Sequence, residues 1–203
     1  GGSADVDFLP MMQRRRLSPL ARGACAVAWH ARRAGGDMPV VYFSRHGESR
    51  YYFEMLQGMA AGEAVSPSRF SLCVHNAVAG LFSIQSQSHL PYVCLAGGTE
   101  ELFAAFVEAG GQLLEVPQVM VVCYEQPLPE VYGRYVSSSP MTWALAMVLG
   151  REEASGLRLH LARNRAVDCN GGSSTLIHAI ADGLLEGYTA LERSLWRWSL
   201  QHV

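Results

Sequence analysis

The densest run of groups able to do chemistry is Arg45-His46-Gly47-Glu48. It puts a cation, an imidazole and a carboxylate within four positions, directly after the apolar run from Pro39 to Ser44. Taken as residue types alone, these make a polar loop closing a strand. Thr99 offers a hydroxyl, which becomes a nucleophile only beside a base. Glu100 and Glu101 follow it, with no histidine near. A threonine followed by acids is also the start of a helix, with Thr99 as N-cap and Glu101 in a first turn whose dipole favours acids. The five cysteines, Cys25, Cys73, Cys94, Cys123 and Cys169, are odd in number, form no CxxC pair and sit mostly in apolar stretches. They read as reduced core thiols of a cytosolic protein. His160, His178 and His202 are isolated, and neither a metal nor a cofactor is expected. The only dense cationic run, Arg14-Arg15-Arg16, reads as a solvated helix start, with a contact for a phosphate or an acidic partner as the alternative.

These groups have to be held by an alternating set of elements. Small and apolar residues at helical spacing predict a helix from Leu17 to Arg33, with Pro19 in its first turn. Pro39 to Ser44 is a short apolar strand, and residues 49–60 are helical again. The segment from Arg69 to Ile84 is apolar nearly all round, which predicts one buried helix. Pro91 to Ala96 and Val116 to Tyr124 read as buried strands, separated by an amphipathic helix from Glu100 to Ala109. Met141 to Leu149 is ambiguous, and Leu157 to Ala162 alternates as a strand does. Residues 1–16 form an extended N-terminal segment. Glu125 to Pro140 is a surface loop, and 173–203 a long C-terminal helix with Leu176, Ile177, Ile180, Leu184 and Leu185 on its apolar face. Buried strands alternating with helices give an α/β layered fold with a mixed β-sheet flanked by helices.

The chain has 203 residues, which fits a single domain over 1–203. Charged residues are only 17% of it, below the usual quarter. A large core and a surface covered by another protein would both produce that figure. The net charge is −2 and no basic stripe exists, so nucleic acid is not expected as a partner. No secretory signal opens the chain and no apolar run reaches membrane-spanning length, so a cytoplasmic location is expected.

Two family resemblances arise. The run Val40 to Ser49, ending in Arg45-His46-Gly47-Glu48, resembles the signature of the histidine phosphatases. There the histidine accepts the phosphoryl group and the arginine neutralises its charge. Against it, a full helix precedes the motif, Arg50-Tyr51-Tyr52 replaces the asparagine that usually follows, and His75 is followed by Asn76 and Ala77 instead of two glycines. The second resemblance covers more of the chain. Phe8-Leu9-Pro10 with Arg14 to Leu20, then Ser66 to Ile84 containing Val74-His75-Asn76-Ala77, then Pro91 to Leu95 with Ala96-Gly97-Gly98-Thr99, are similar to the N-terminal half of a β-ketoacyl synthase. They look most like the chain length factors of aryl polyene pathways, whose pattern also includes Ser44-Arg45-His46-Gly47-Glu48.

That resemblance implies a half-length, thiolase-like (ketosynthase-like) fold. It also implies that the nucleophilic cysteine of a synthase would stand at Thr99, or at Gly98 if the loop is one residue shorter. Neither is a cysteine, and Cys94 lies too early, within the strand. The histidines that activate the malonyl extender belong to a C-terminal half not expected in this chain, so no catalytic residue is expected. The resemblance implies a pseudoenzyme paired with a full-length ketosynthase as a heterodimer, meeting acyl carrier protein through that complex and shaping its acyl tunnel. Phe70, Cys73, Val74, Asn76, Ala77, Leu81, Phe82, Tyr92 and Cys94 are the candidate tunnel and interface residues. A carrier-protein-binding structural module is the other non-enzymatic reading.

Overall fold

The computed structural model describes residues 4–96, 101–136, 138–151, 157–165, 176, 186–190 and 194–202. In chain order its helices are α1 (Met11–Arg14), α2 (Pro19–Gly35), α3 (Ser49–Ala60), α4 (Pro67–Cys73), α5 (Ala77–Ser86) and α6 (Glu101–Gln112). Its strands are β1 (Val40–Phe43), β2 (Tyr92–Leu95), β3 (Gln118–Glu125), β4 (Trp143–Gly150), β5 (Leu157–Arg165), β6 (Glu186–Ala190) and β7 (Ser194–His202).

The first four strands make one sheet in the order β2-β1-β3-β4. β1 runs parallel to β2, pairing Val40 with Tyr92, and parallel to β3, pairing Val40 with Met120. β4 is antiparallel to β3, from Gln118 opposite Gly150 to Glu125 opposite Trp143. The sheet is therefore mixed and flanked by helices. β1 and β3 are central, and every residue of theirs except Gln118 is buried, as continuous runs of valine and aromatics require. Alternate residues serve opposite faces. Tyr42, Met120, Val122 and Tyr124 face a core shared with α2 and α5, while Val41, Phe43, Val121 and Cys123 face one shared with α6.

α2 starts where Ser18 accepts the Ala21 amide at 2.9 Å, has Pro19 in its first turn and stops at Gly36 with φ 84°. Its small residues let it lie close on the sheet. A side chain at Gly23 would stand 3.4 Å from the Ala144 methyl. On the other face, α6 buries Leu102, Phe103, Phe106 and Ala109, and Phe103 stacks on Trp196 with ring centroids 4.7 Å apart. Trp196 belongs to a second, fully antiparallel sheet in the order β5-β7-β6.

Five expectations are corrected or resolved. The single C-terminal helix expected over 173–203 gives way in its later part to β6 and β7, while Leu176 alone of its described residues is helical. β7 is the central strand of its sheet, with Trp196 opposite Arg163 of β5 on one side and Thr189 of β6 on the other. Leu176 is buried against α6, and the rest of 173–185 lies outside the described residues. The buried helix expected from Arg69 to Ile84 is broken at the extended Val74 into α4 and α5, and α4 buries no residue at all. β2, expected to be buried, is a half-exposed edge strand. The ambiguous run after Met141 is β4. The segment 1–16, expected to be extended, folds in its described part into a turn and α1, with Phe8 stacked on Trp29 at 4.3 Å.

Candidate functional site

The carboxyl ends of β1, β2 and β3 lie side by side, and at such edges parallel sheets hold their chemistry. The loop Ser44 to Glu48 leaves β1 there. Two carboxylates far apart in sequence fix it. Glu125, at the end of β3, accepts hydrogen bonds through one oxygen from the Ser44 hydroxyl at 2.9 Å, from the Arg45 amide and from the His46 amide at 3.3 Å. The Gly47 amide donates to Ser44 Oγ at 2.7 Å, and the Gln126 side chain donates to the Gly47 carbonyl at 3.1 Å. At the other end of the loop, Glu48 accepts from Ser18 Oγ at 2.5 Å. Ser18 is also the cap of α2, so this bond ties the starts of α2 and α3 together.

Leu95, the last residue of β2, is fixed from two sides. Its carbonyl accepts the Ser44 amide at 3.2 Å and lies 2.9 Å from His75 Nε2. A carbonyl can only accept, so Nε2 is the donor here. A side chain at Gly47 would stand 3.0 Å from Nδ1 of the same ring, and Gly47 has φ +51°. Only glycine satisfies both demands. β1, the link between α4 and α5, and the end of β2 are thereby joined.

Burial dominates the electrostatics. Glu48 is 5% exposed and its carboxyl is pushed up to about 7 by loss of solvent, with the Ser18 bond pulling the other way. His46 is shifted below its ordinary value, first by burial and then by Arg45, against the attraction of Glu125. Burial pushes the Cys25 thiol up to about 12 and the Cys94 thiol up to about 11, and raises Cys123 and Cys73 as well. No described cysteine is an activated thiolate. Among the described residues no group of three or more histidines, cysteines or acids is placed to hold a metal. Arg14 pairs with Asp7.

The sequence candidates scatter. Phe70 is 53% exposed on α4, and Val74 and Tyr92 are exposed as well. Cys73 donates its thiol to the Arg69 carbonyl at 3.3 Å. Asn76 is not inside an apolar helix. It is the exposed residue preceding α5, with no side-chain capping bond. Ala77 and Leu81 line a small cavity with Glu48. Phe82 is a core residue, 3% exposed and edge-to-face with Phe8. Cys94 packs half-buried against the α2–α5 core. Gly98 and Thr99 lie outside the described residues, as does Cys169. The groups that build the loop, namely Ser18, Ser44, His75, Glu125 and Gln126, were not among the candidates. The one available signal was Glu125-Gln126, a polar pair closing a long apolar run.

Comparison with known proteins gives a family and a fold. The family described as β-ketoacyl synthase, N-terminal domain, matches residues 2–199. Among solved structures, a chain of a ketosynthase (ApeO) in complex with its chain length factor (ApeC) from Xenorhabdus doucetiae superposes with a TM-score of 0.81 at 24% identity. The match covers 94% of this chain and 81% of that one, so the two are of similar length. No curated protein sequence matches. Among the described residues no helix is long and apolar enough to cross a membrane.

Proposed function

The chain belongs to the β-ketoacyl synthase family through its N-terminal domain, and from that premise we propose that it is a non-catalytic subunit. It pairs with a full-length β-ketoacyl synthase in aryl polyene-type chain elongation. The carrying observation is the edge of the first sheet. Among the described residues β2 pairs on one side only, with β1. Tyr92 on β2 and Leu90 just before it are exposed, and so are Phe70 on α4, Val74, and Ile84 on α5. An open strand edge is a template for another chain, and exposed apolar side chains mark surface that a partner would cover. The solved complex of similar fold is itself an assembly of a synthase with a chain length factor.

The non-catalytic half of the reading rests on residue types. Neither Thr99 nor Gly98 supplies a thiol, and burial holds the described thiols protonated. The site candidates divide accordingly. Phe70, Val74 and Tyr92 meet the partner, Ala77 and Leu81 stand behind them, and Phe82 fills the core. The subunit shapes the acyl tunnel by filling space, as a closed wall.

The test is co-expression with a full-length synthase followed by size exclusion. Co-elution through an interface of well over about 1,000 Å² is expected, and Tyr92→Arg weakens it without lowering Tm. Separate elution refutes the pairing. Condensation of acyl and malonyl carriers by the purified chain alone, abolished by Thr99→Ala, refutes the catalytic silence.

A further inference from the structure

One feature of the chain is used neither by the interface nor by any synthase chemistry: the buried carboxyl of Glu48 and the small cavity beside it. One oxygen of Glu48 accepts from Ser18, and the other is buried without a hydrogen-bond partner among the described residues. The cavity has room for about one water molecule, roughly 10 Å³. Its apolar lining comes from Leu17 and Ala21 at the start of α2, Leu72 on α4, and Ala77, Val78 and Leu81 on α5.

Arg16 and Tyr51 line the cavity from the approach to α2 and from α3. Cys25 on α2, Cys73 on α4 and Tyr124 on β3 are near enough to feel its charge. Arg22, Arg69 and Glu54 act on Tyr51. α5 contributes only apolar groups. Among the described residues no cation pairs with Glu48, and Ser18 alone favours its ionised form. A carboxylate here would be buried with one hydrogen bond and no counter-charge, which is costly unless water reaches it.

The lightest wall of the cavity is α4. It buries none of its seven residues. Its described ties to α3 are polar and exposed, with Arg69 3.0 Å from Glu54. The extended Val74 joins it to α5 as a hinge. Opening at α4 therefore disturbs little core, whereas opening at α2 or α5 would expose Leu20, Ala24, Val78 and Phe82.

We propose that Glu48 is a pH-operated latch: the neutral carboxyl keeps α2, α3, α4 and α5 closed around the cavity, and its ionisation draws water in by lifting α4. The latch stands whether or not the chain pairs with a synthase, because it requires only the geometry of this chain.

Hydrogen exchange of the purified chain tests it, read on amides 67–86 at about pH 6 and about pH 8.5 and corrected for intrinsic rates. If the opened state restores an ordinary carboxyl, opening rises about tenfold between those values. Glu48→Gln keeps an acceptor for Ser18 but cannot ionise, so its exchange is expected to be the same at both. Ser18→Ala removes the bond that favours the carboxylate and moves the rise to higher pH. Wild-type protection of 67–86 that does not change with pH overturns the latch. So does an equal pH response in Glu48→Gln. Should Glu48→Gln not fold, the wild-type series and the direction of the Ser18→Ala shift decide the matter.

Discussion

Glu125→Ala strikes the one acceptor on which the loop after β1 depends. Glu125 is 8% exposed and takes three donors on a single carboxyl oxygen: Ser44 Oγ at 2.9 Å, the Arg45 amide and the His46 amide at 3.3 Å. Stranding a buried donor costs about 1–3 kcal/mol. Ser44 is fully buried and bears the full cost, whereas Arg45 and His46 are half-buried, so water can reach their amides in part. The His46 bond is also long and therefore weak. A total of about 3 kcal/mol follows, a large fraction of the 5–15 kcal/mol that holds a domain together. Glu125→Gln retains a carbonyl oxygen in place and costs about 1 kcal/mol. Urea unfolding followed by tryptophan fluorescence reads both variants by linear extrapolation. The reasoning fails if the alanine variant lies within about 0.5 kcal/mol of wild type. It fails differently if the glutamine variant is as damaged as the alanine one, for then charge, and not the acceptor, holds the loop.

Three further outcomes are expected. Gly47→Ala lowers stability by about 1–2 kcal/mol, because it sets a methyl 3.0 Å from His75 Nδ1 at φ +51°, and the same unfolding series measures it. Phe103→Ala costs about 3–5 kcal/mol, since Phe103 is fully buried and stacked on Trp196, and thermal unfolding should show the loss. Stability also depends on pH through Glu48. A carboxyl raised to about 7 in the folded chain gives stability that is fully present below about 4.5 and is lost as pH climbs through 7. The loss is at most about 3 kcal/mol, and Glu48→Gln should flatten the urea midpoint across that window.

Much of the architecture was written locally. β1 and β3 announce themselves as runs of valine and aromatics too short for helices, and α2 by Ser18-Pro19 before a stripe of small residues. What escaped local reading depended on partners distant in the chain. The edge position of β2 cannot be seen in Tyr-Val-Cys-Leu, which would serve equally in the centre of a sheet. β7 was mistaken for helix because Leu-Glu-Arg-Ser-Leu has good helix propensity, although Trp196 and Trp198, two apart, carried the strand signal. The break between α4 and α5 was legible in part, since β-branched Val74 precedes Asn76, a residue type that favours helix starts. At the candidate site, Arg45-His46-Gly47-Glu48 drew notice for its polarity. What organises it is Ser44 meeting Glu125 across 81 positions and Ser18 meeting Glu48 across 30, and spacing along a sequence does not disclose such pairs. The ketosynthase resemblance rested on three separated segments, whereas the family match runs from 2 to 199.

The double anchorage of the Leu95 carbonyl, by the Ser44 amide and the His75 ring, has an evolutionary corollary. Residues 44, 47, 75 and 125 form one mechanical unit drawn from three separate stretches of chain. A relative that replaces the histidine by a smaller residue removes the reason for the missing side chain at 47, and one that loses the acid at 125 frees the hydroxyl at 44. Across related chains these four positions should change together, as a correlated set, even where the sequence between them drifts beyond recognition.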